Sequence, residues 1–200
     1  MSAPRRRTLA LAGVVVVAVG LAVSAGRVAR VPDADMSPSL FPGELVLVWP
    51  AEPRAGDVVA VVDPLDPDRW TLRRVESLGG AVSFRSHSFR TSDGDRHRVL
   101  DMGEHGGHPV YLDGEHVIYE APSPTRLERE AIGVPDDAAY LSADNRDAAL
   151  DSRWWGPVPL EAVQGVVLVR FGTTSTPWRG LVGTRGEPAV LPELSKLGRR

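Results

Sequence analysis

Downstream of residue 33 the apolar positions fall in short runs, rich in Val, Leu, Ile and Tyr and broken every few residues by Pro, Gly or Asp. Runs of about four to eight residues with β-branched enrichment predict strands, since a helix needs a sustained 3.6-residue period and none is present. Strands are expected at residues 44–48, 57–62, 70–76, 81–84, 116–119, 139–142 and 163–170. Residues 86–114 are polar, with many His, Arg, Asp and Gly, and predict an exposed hairpin or insertion outside the core. The chain after Phe171, with Pro177, Gly180, Gly186 and Pro188, reads as irregular. No internal repeat is visible. The fold class that follows is mainly β, and 200 residues with 42% hydrophobic content suit one domain with its own core.

The one long apolar stretch lies at the start. Residues 8–26 carry no charge, and residues 9–23 are only Leu, Ala, Gly and Val. As a helix at about 1.5 Å per residue this stretch reaches roughly 28 Å, close to the roughly 30 Å of bilayer hydrocarbon. A single N-terminal transmembrane helix is therefore expected, and a buried core helix fits poorly because the stretch has no polar face. Arg5, Arg6 and Arg7 precede the segment and outnumber Arg27 and Arg30 behind it. That asymmetry places the N-terminus in the cytoplasm and the β domain outside the cell membrane. Val23, Ser24 and Ala25 also suit a processing site, so removal after Ala25 is the competing expectation. The expected organisation is a basic stub and anchor over residues 1–30, a β domain over 31–171 and an irregular tail over 172–200.

Charge and composition narrow the chemistry. The net charge is -3 with both signs scattered, so no nucleic acid partner is indicated, and membrane lipid is the partner the anchor implies. The chain has no cysteine, which removes disulfides, thiolate catalysis and Cys-type zinc sites together. Asp137, Asp144, Asp147 and Asp151 lack the spacing of a Gly-punctuated calcium loop and have no His among them, so no metal or cofactor is expected. Lysine occurs once, as Lys196 near the C-terminus.

Three stretches carry a resemblance. Residues 36–48 read MSPSLFPGELVLV, residues 56–80 read GDVVAVVDPLDPDRWTLRRVESLGG, and residues 135–158 read PDDAAYLSADNRDAALDSRWWGPV. In this order they resemble the boxes of bacterial type I signal peptidases, the peptidase S26 family, which run in outline SMxPTLxPGDxVLV, GD followed by KRVxGLPGD, and PxGxYFVxGDNRDNSxDSRYWGPV. Met36, Pro38, Leu40, Pro42 and Gly43 fall in register with the first box, and Asp144, Asn145, Arg146, Asp151, Ser152 and Arg153 with the third. The resemblance implies a signal-peptidase-like β-barrel or sheet domain behind a transmembrane helix. It also implies a groove at the membrane surface, where an extended signal-peptide segment adds to strand edges. Phe41, Trp49, Trp154 and Trp155 are candidates to enter the headgroup layer, with core packing as the plainer reading.

The same register exposes departures. Asp35 stands where the family has its nucleophilic serine, and Arg73 stands where it has its general-base lysine. A Ser/Lys dyad works because burial lowers the lysine's pKa until the neutral amine accepts the serine proton. A guanidinium, with a pKa above about 12, stays protonated and cannot do so. Asp33 falls where some members place an oxyanion-binding serine, and a carboxylate there would repel the oxyanion. Ala143 and Ala149 replace the Gly and Ser of the third box, whose retained residues would brace the site. Asp35 and Arg73 are expected to face each other as an ion pair, with bidentate geometry open to them, the competing expectation being two separately solvated charges.

Other chemistry is weaker. A register shift would nominate Ser37 or Ser39 as nucleophile, but it abandons the alignment of the first box. None of His87, His97, His105, His108 and His116 stands at the lysine position, and a two-carboxylate site from Asp33, Asp35 and Asp151 needs a pairing that sequence does not reveal. The expectation is a membrane-anchored, non-catalytic relative that binds signal-peptide segments of secretory precursors or modulates another membrane peptidase. The alternatives are an active signal peptidase with unconventional catalysis, and a β domain with an unrelated ligand.

Overall fold

The computed structural model describes residues 26–171 apart from 86–87, 92–98, 115, 121–128 and 148. The expected anchor up to residue 25, its alternative cleavage after Ala25 and the tail over 172–200 lie outside the described residues. No helix among the described residues is long and apolar enough to cross a membrane.

The elements in chain order are β1 (Arg27–Arg30), β2 (Leu45–Trp49), β3 (Val58–Asp63), β4 (Asp66–Arg85), β5 (Ser88–Thr91), β6 (Val99–His105), β7 (His108–Asp113), β8 (His116–Tyr119), β9 (Arg129–Ser142), α1 (Ser152–Trp155), β10 (Val158–Pro159) and β11 (Val163–Phe171). One sheet runs β1-β2-β11-β3-β4-β9-β10, with β5 on β4, and a second, three-stranded sheet runs β6-β7-β8. Every strand pairing is antiparallel.

β3, with the sequence VVAVVD, is nearly continuous in apolar residues because it is central and covered on both faces. Successive side chains of a strand point to opposite faces. Val58 and Ala60 accordingly join Val46, Val48, Leu72, Val167, Met36 and Leu40 on one side. Val59 and Val61 join Val75, Ala139, Leu141, Val158 and Val166 on the other. Met36 and Leu40 come from the loop between β1 and β2, whose burial anchors that loop over the sheet. At the far end of β4 and β9 a third cluster gathers Val82, Phe84, Phe89, Val134, Ala138 and Tyr140.

The expected strands are present, and the differences have local causes. Residues 70–76 and 81–84 belong to one long strand, β4. Gly79 and Gly80, which read as a break, have positive φ of 80° and 78° and sit at a register shift, as glycines in a bulged strand do. β9 extends back from the expected 139–142 to Arg129, its first half disguised by Pro135, Asp136 and Asp137. β1 begins at Arg27, ahead of the boundary expected at residue 31, and pairs with β2. Within the stretch expected as an exposed hairpin or insertion, Val99–His105 and His108–Asp113 form a hairpin that turns at Gly106 and Gly107, but the described residues of the stretch are not wholly outside the core. Phe89 is buried against Phe84 and Tyr140, and β7 and β8 bury Val110, Leu112, Val117 and Tyr119 in a small core of their own.

One feature positions the site. β3 pairs along β4 from Arg74 to Asp66, whereas β9 pairs with β4 only from Arg74 onward. Among the described residues, then, residues 66–73 of β4 have a strand on one side alone. Val75 exchanges backbone bonds with Gly56 and Asp57 on the β3 side. By alternation, the backbone groups of Leu72 and Trp70 point to the open side.

Candidate functional site

Arg73 and Arg74 are consecutive on β4 and therefore leave opposite faces. Arg74 pairs with Asp144 in a fork, Nε donating to Oδ1 at 2.8 Å and Nη2 to Oδ2 at 2.6 Å, and also reaches the carbonyl of Gly56 at 2.8 Å. Burial works against the Arg74 cation, but the Asp144 carboxylate outweighs it and holds the guanidinium above its ordinary pKa.

Arg73 turns toward α1 and the loop before it. Its Nη2 donates to Asp35 Oδ2 at 2.7 Å, with the arginine side chain 2% and the aspartate 19% exposed. Its Nε and Nη2 both donate to the carbonyl of Leu150, at 3.1 and 2.8 Å. Its Nη1 donates to Thr71 Oγ1 at 2.7 Å and to the carbonyl of Leu72 at 2.6 Å. The indole of Trp155 lies 5.3 Å from its guanidinium carbon and covers one face. The expected ion pair is thus present but is not bidentate, because the remaining donors of the fork are directed at main-chain carbonyls. Those carbonyls belong to Leu72 on β4 and Leu150 on the loop before α1.

Asp35 is held by its own surroundings. Its backbone N–H donates to Asp33 Oδ1 at 3.1 Å, and its carbonyl accepts from Asn145 N at 2.8 Å. Asn145 Nδ2 reaches the neighbouring carbonyl of Ala34 at 3.2 Å. Asp33 in turn pairs with Arg69 at 2.7 Å. Burial pushes the Asp35 carboxyl above its ordinary pKa, Arg73 opposes this, and the negative charge of Asp33 adds to it.

The third box ties α1 to β9 and to the loop that follows it. Asp151 caps α1: Oδ1 accepts from Arg153 N at 3.0 Å and Arg153 Nε at 2.8 Å, while Oδ2 accepts from Ala143 N at 3.0 Å and Arg153 Nη2 at 2.9 Å. Ser152 Oγ accepts from Leu141 N at 2.9 Å, tying α1 to β9. Arg146 reaches Asp113 of the small sheet at 2.8 Å and lies near Glu76 at 3.7 Å. Ala149 is buried, and Met36 and Pro38 shape the loop that carries Asp35, with a cis bond between Ser37 and Pro38.

The other candidates stand apart. Ser37 and Ser39 are buried, their hydroxyls directed at the carbonyls of Leu40 and Val117, 3.4 and 3.5 Å away. Arg74 also approaches Ser39 Oγ at 3.3 Å, so a cation and not a neutral base faces that hydroxyl. His105, His108 and His116 belong to the small sheet, and His87 and His97 lie outside the described residues. Asp151 is bound to Arg153. Of the aromatic candidates, Trp154 is 58% exposed, and Trp155 packs on Arg73. Sequence reasoning passed over Thr71, Arg69 and the carbonyls of Leu72 and Leu150. No side-chain signal marks a carbonyl, though the alternation of β4 placed Thr71 on the same face as Arg73.

Comparisons with known proteins bear on the whole arrangement. The chain is 25% identical over 195 residues to signal peptidase I of Aquifex aeolicus, covering 74% of this chain and 76% of that protein. It is 24% identical over 163 residues to a probable signal peptidase I-2 of Synechocystis, covering 78% of this chain and 68% of the relative. To mitochondrial inner membrane protease subunit 2 of Mus musculus it is 35% identical over 92 residues, 40% of this chain and 53% of that one. Among solved structures, a signal peptidase I from Enterococcus faecalis matches with 16% identity and a TM-score of 0.37, over 59% of this chain and 98% of that chain. Residues 5–172 match the family described as signal peptidase, peptidase S26, and the chain belongs to that family.

Proposed function

We propose that this chain is a non-catalytic member of the family that binds extended, signal-peptide-like segments of secretory precursors, or modulates an active peptidase in the same membrane. In this reading Asp35 and Arg73 stand at the family's serine and lysine positions. The observation that carries it is the state of Arg73: its guanidinium is spent on Asp35, Thr71 and the carbonyls of Leu72 and Leu150. A permanently charged donor in that place accepts no proton, and a carboxylate at Asp35 offers no hydroxyl to attack a carbonyl. The one-sided stretch of β4 at residues 66–73 supports peptide binding, since an extended segment gains main-chain hydrogen bonds by adding to an open strand edge. The anchor expected over residues 9–26 would hold this edge at the outer surface of the cell membrane, with the N-terminus in the cytoplasm.

The test uses full-length protein in detergent, mixed with a precursor carrying a small-x-small processing site, beside an Asp35→Ser/Arg73→Lys double variant. Bound but intact precursor with the native chain is the expected result. Cleavage by the native chain that survives removal of contaminating peptidases would establish the competing reading, an enzyme with unconventional catalysis. Absence of any precursor binding would leave the binding reading without its ligand and refute it.

A further inference from the structure

The tip of the β6–β7 hairpin brings together side chains that the Asp35–Arg73 site does not use. Gly106 and Gly107 have φ of 60° and 83°, the paired positive values of a tight two-residue turn, so His105 and His108 close the hairpin as directly opposed partners. Opposed residues of an antiparallel pair project to one face, with Cβ atoms about 4.5–5.5 Å apart. That face is the apolar one of the small sheet, since Val110 and Leu112 follow His108 at every second position of β7 and pack with Val117 and Tyr119.

Tyr119 on β8 organises the pair. Its hydroxyl is in hydrogen-bond contact with His105 Nδ1, and its ring lies 5.0 Å from that of His108 at an angle of 14°. Tyr119 is buried, whereas His105 is half-buried and His108 exposed. With Nδ1 of His105 held by the hydroxyl, Nε2 is the nitrogen left to a ligand, and among the described residues neither ring nitrogen of His108 has a hydrogen-bond partner. A metal-binding imidazole commonly carries such a hydrogen bond on its second nitrogen, because it fixes the ring and the tautomer. The hairpin's own charge suits a cation, since residues 99–112 include Asp101 and Glu104 and no Lys or Arg.

We propose that His105 and His108 form a binding site for a divalent transition cation of the kind imidazole prefers, Cu(II), Ni(II) or Zn(II), with Tyr119 as the positioning residue of His105. Among the described residues no third His or carboxylate joins them, so solvent completes the coordination and the ion exchanges, unlike that of a closed structural zinc centre. Mg(II) and Ca(II), which take oxygen ligands, do not suit this donor pair. Sequence spacing pointed to no metal; the register of the hairpin is what sets the two imidazoles side by side. A bound ion ties β6 to β7 across the turn and bears on Tyr119. The backbone of Tyr119 donates to the carbonyl of Asp144 and accepts from Arg146 N, both at 2.8 Å, on either side of Asn145, whose N–H holds the carbonyl of Asp35. The inference stands whatever ligand the Asp35–Arg73 site takes.

The experiment is a Cu(II) titration of the full-length, tag-free chain in detergent, followed by calorimetry and by electron paramagnetic resonance. Saturable binding is expected, with a spectrum that shows two imidazole nitrogens, and excess Zn(II) or Ni(II), but not Mg(II), is expected to compete. Tyr119→Phe keeps the ring beside His108 and removes only the hydroxyl; it is expected to weaken binding by about 10-fold, and His105→Ala and His108→Ala each by about 100-fold or more. Absence of binding, a spectrum with fewer than two imidazole nitrogens, or an affinity unchanged in either histidine variant overturns the proposal. Should a histidine variant fail to fold, a Zn(II) titration of the native chain followed by its imidazole NMR signals decides: shifts at both His105 and His108 support the site, and their absence at either refutes it.

Discussion

Replacing Arg73 by Met tests the reading of the site most directly, because Met matches the stem of Arg73 and removes only its donors. The native guanidinium makes five contacts, four of them to neutral oxygens of Thr71, Leu72 and Leu150 and one to Asp35. Loss of one partner of a buried pair costs about 3–5 kcal/mol. Asp35 keeps 19% exposure and regains some solvent, so the lower end, about 3 kcal/mol, applies. For a domain of this size each kcal/mol moves Tm by about 2–4 °C, giving a drop of about 6–12 °C. Asp35→Asn should cost less, about 1 kcal/mol, since the amide oxygen still accepts from Nη2 while the buried negative charge is gone. Its pH behaviour has a definite sign. The Asp35 carboxyl is held above its ordinary pKa, so the proton favours the folded state and this contribution is lost as pH rises through the folded value. That acid-range slope should vanish in Asp35→Asn. Urea unfolding of the two single variants and the double variant measures all of this, with a coupling of about 0.5–3 kcal/mol expected from the cycle. An Arg73→Met chain within about 0.5 kcal/mol of native would show that the guanidinium is solvated, and the account of the site would fall.

Two further outcomes follow from the same structure. Asp144→Ala strands Arg74, 1% exposed, without its forked partner, and should cost about 3–5 kcal/mol by denaturant titration, with Asp144→Asn intermediate. Gly165→Ala places a Cβ 2.6 Å from the carbonyl oxygen of Trp49, at a φ of 150°, and should cost about 1–3 kcal/mol; an unchanged Tm would mean that β11 does not run against β2 as described.

The alternation and Val-rich runs of β2, β3, β8 and β11 located those strands because each packs against the core in the simplest way, alternating or fully covered. What escaped was structure whose stability is tertiary. β1 has the sequence RVAR, with Val28 58% exposed, and exists because β2 offers it an edge. The first half of β9 opens on Arg129 and Glu130 and carries Gly133 and Pro135, and it is held by β4 across two bulges. The polar composition of 86–114 concealed Phe89, Val110 and Leu112, since a short hairpin builds its core from few residues while its surface dominates the count. At the site, the pairing of Asp35 with Arg73 followed from the register of the first and second boxes, and Arg74 with Asp144 shows what the second arginine is for. The charge cluster of Glu76, Asp113 and Arg146 joins residues 37 and 33 positions apart, on two sheets whose docking no local pattern encodes.

The environment of Arg73 also explains why the cleavage control needs two substitutions. Asp35 Oδ2, Thr71 Oγ1 and the carbonyls of Leu72 and Leu150 are all acceptors, converging on one side chain. Such a setting stabilises whatever carries protons, the reverse of what a general base requires. Arg73→Lys alone would place an ammonium beside the Asp35 carboxylate, and that opposite charge would hold the amine protonated near neutral pH. Asp35→Ser alone would supply a hydroxyl facing a guanidinium that cannot take its proton. Removing the carboxylate while installing a titratable amine changes both terms at once, leaving a neutral hydroxyl partner and a shorter cation whose burial now lowers its pKa. Cleavage confined to the double variant, with the native chain and both single variants inert, is therefore the pattern that would tie the proposed loss of catalysis to this pair.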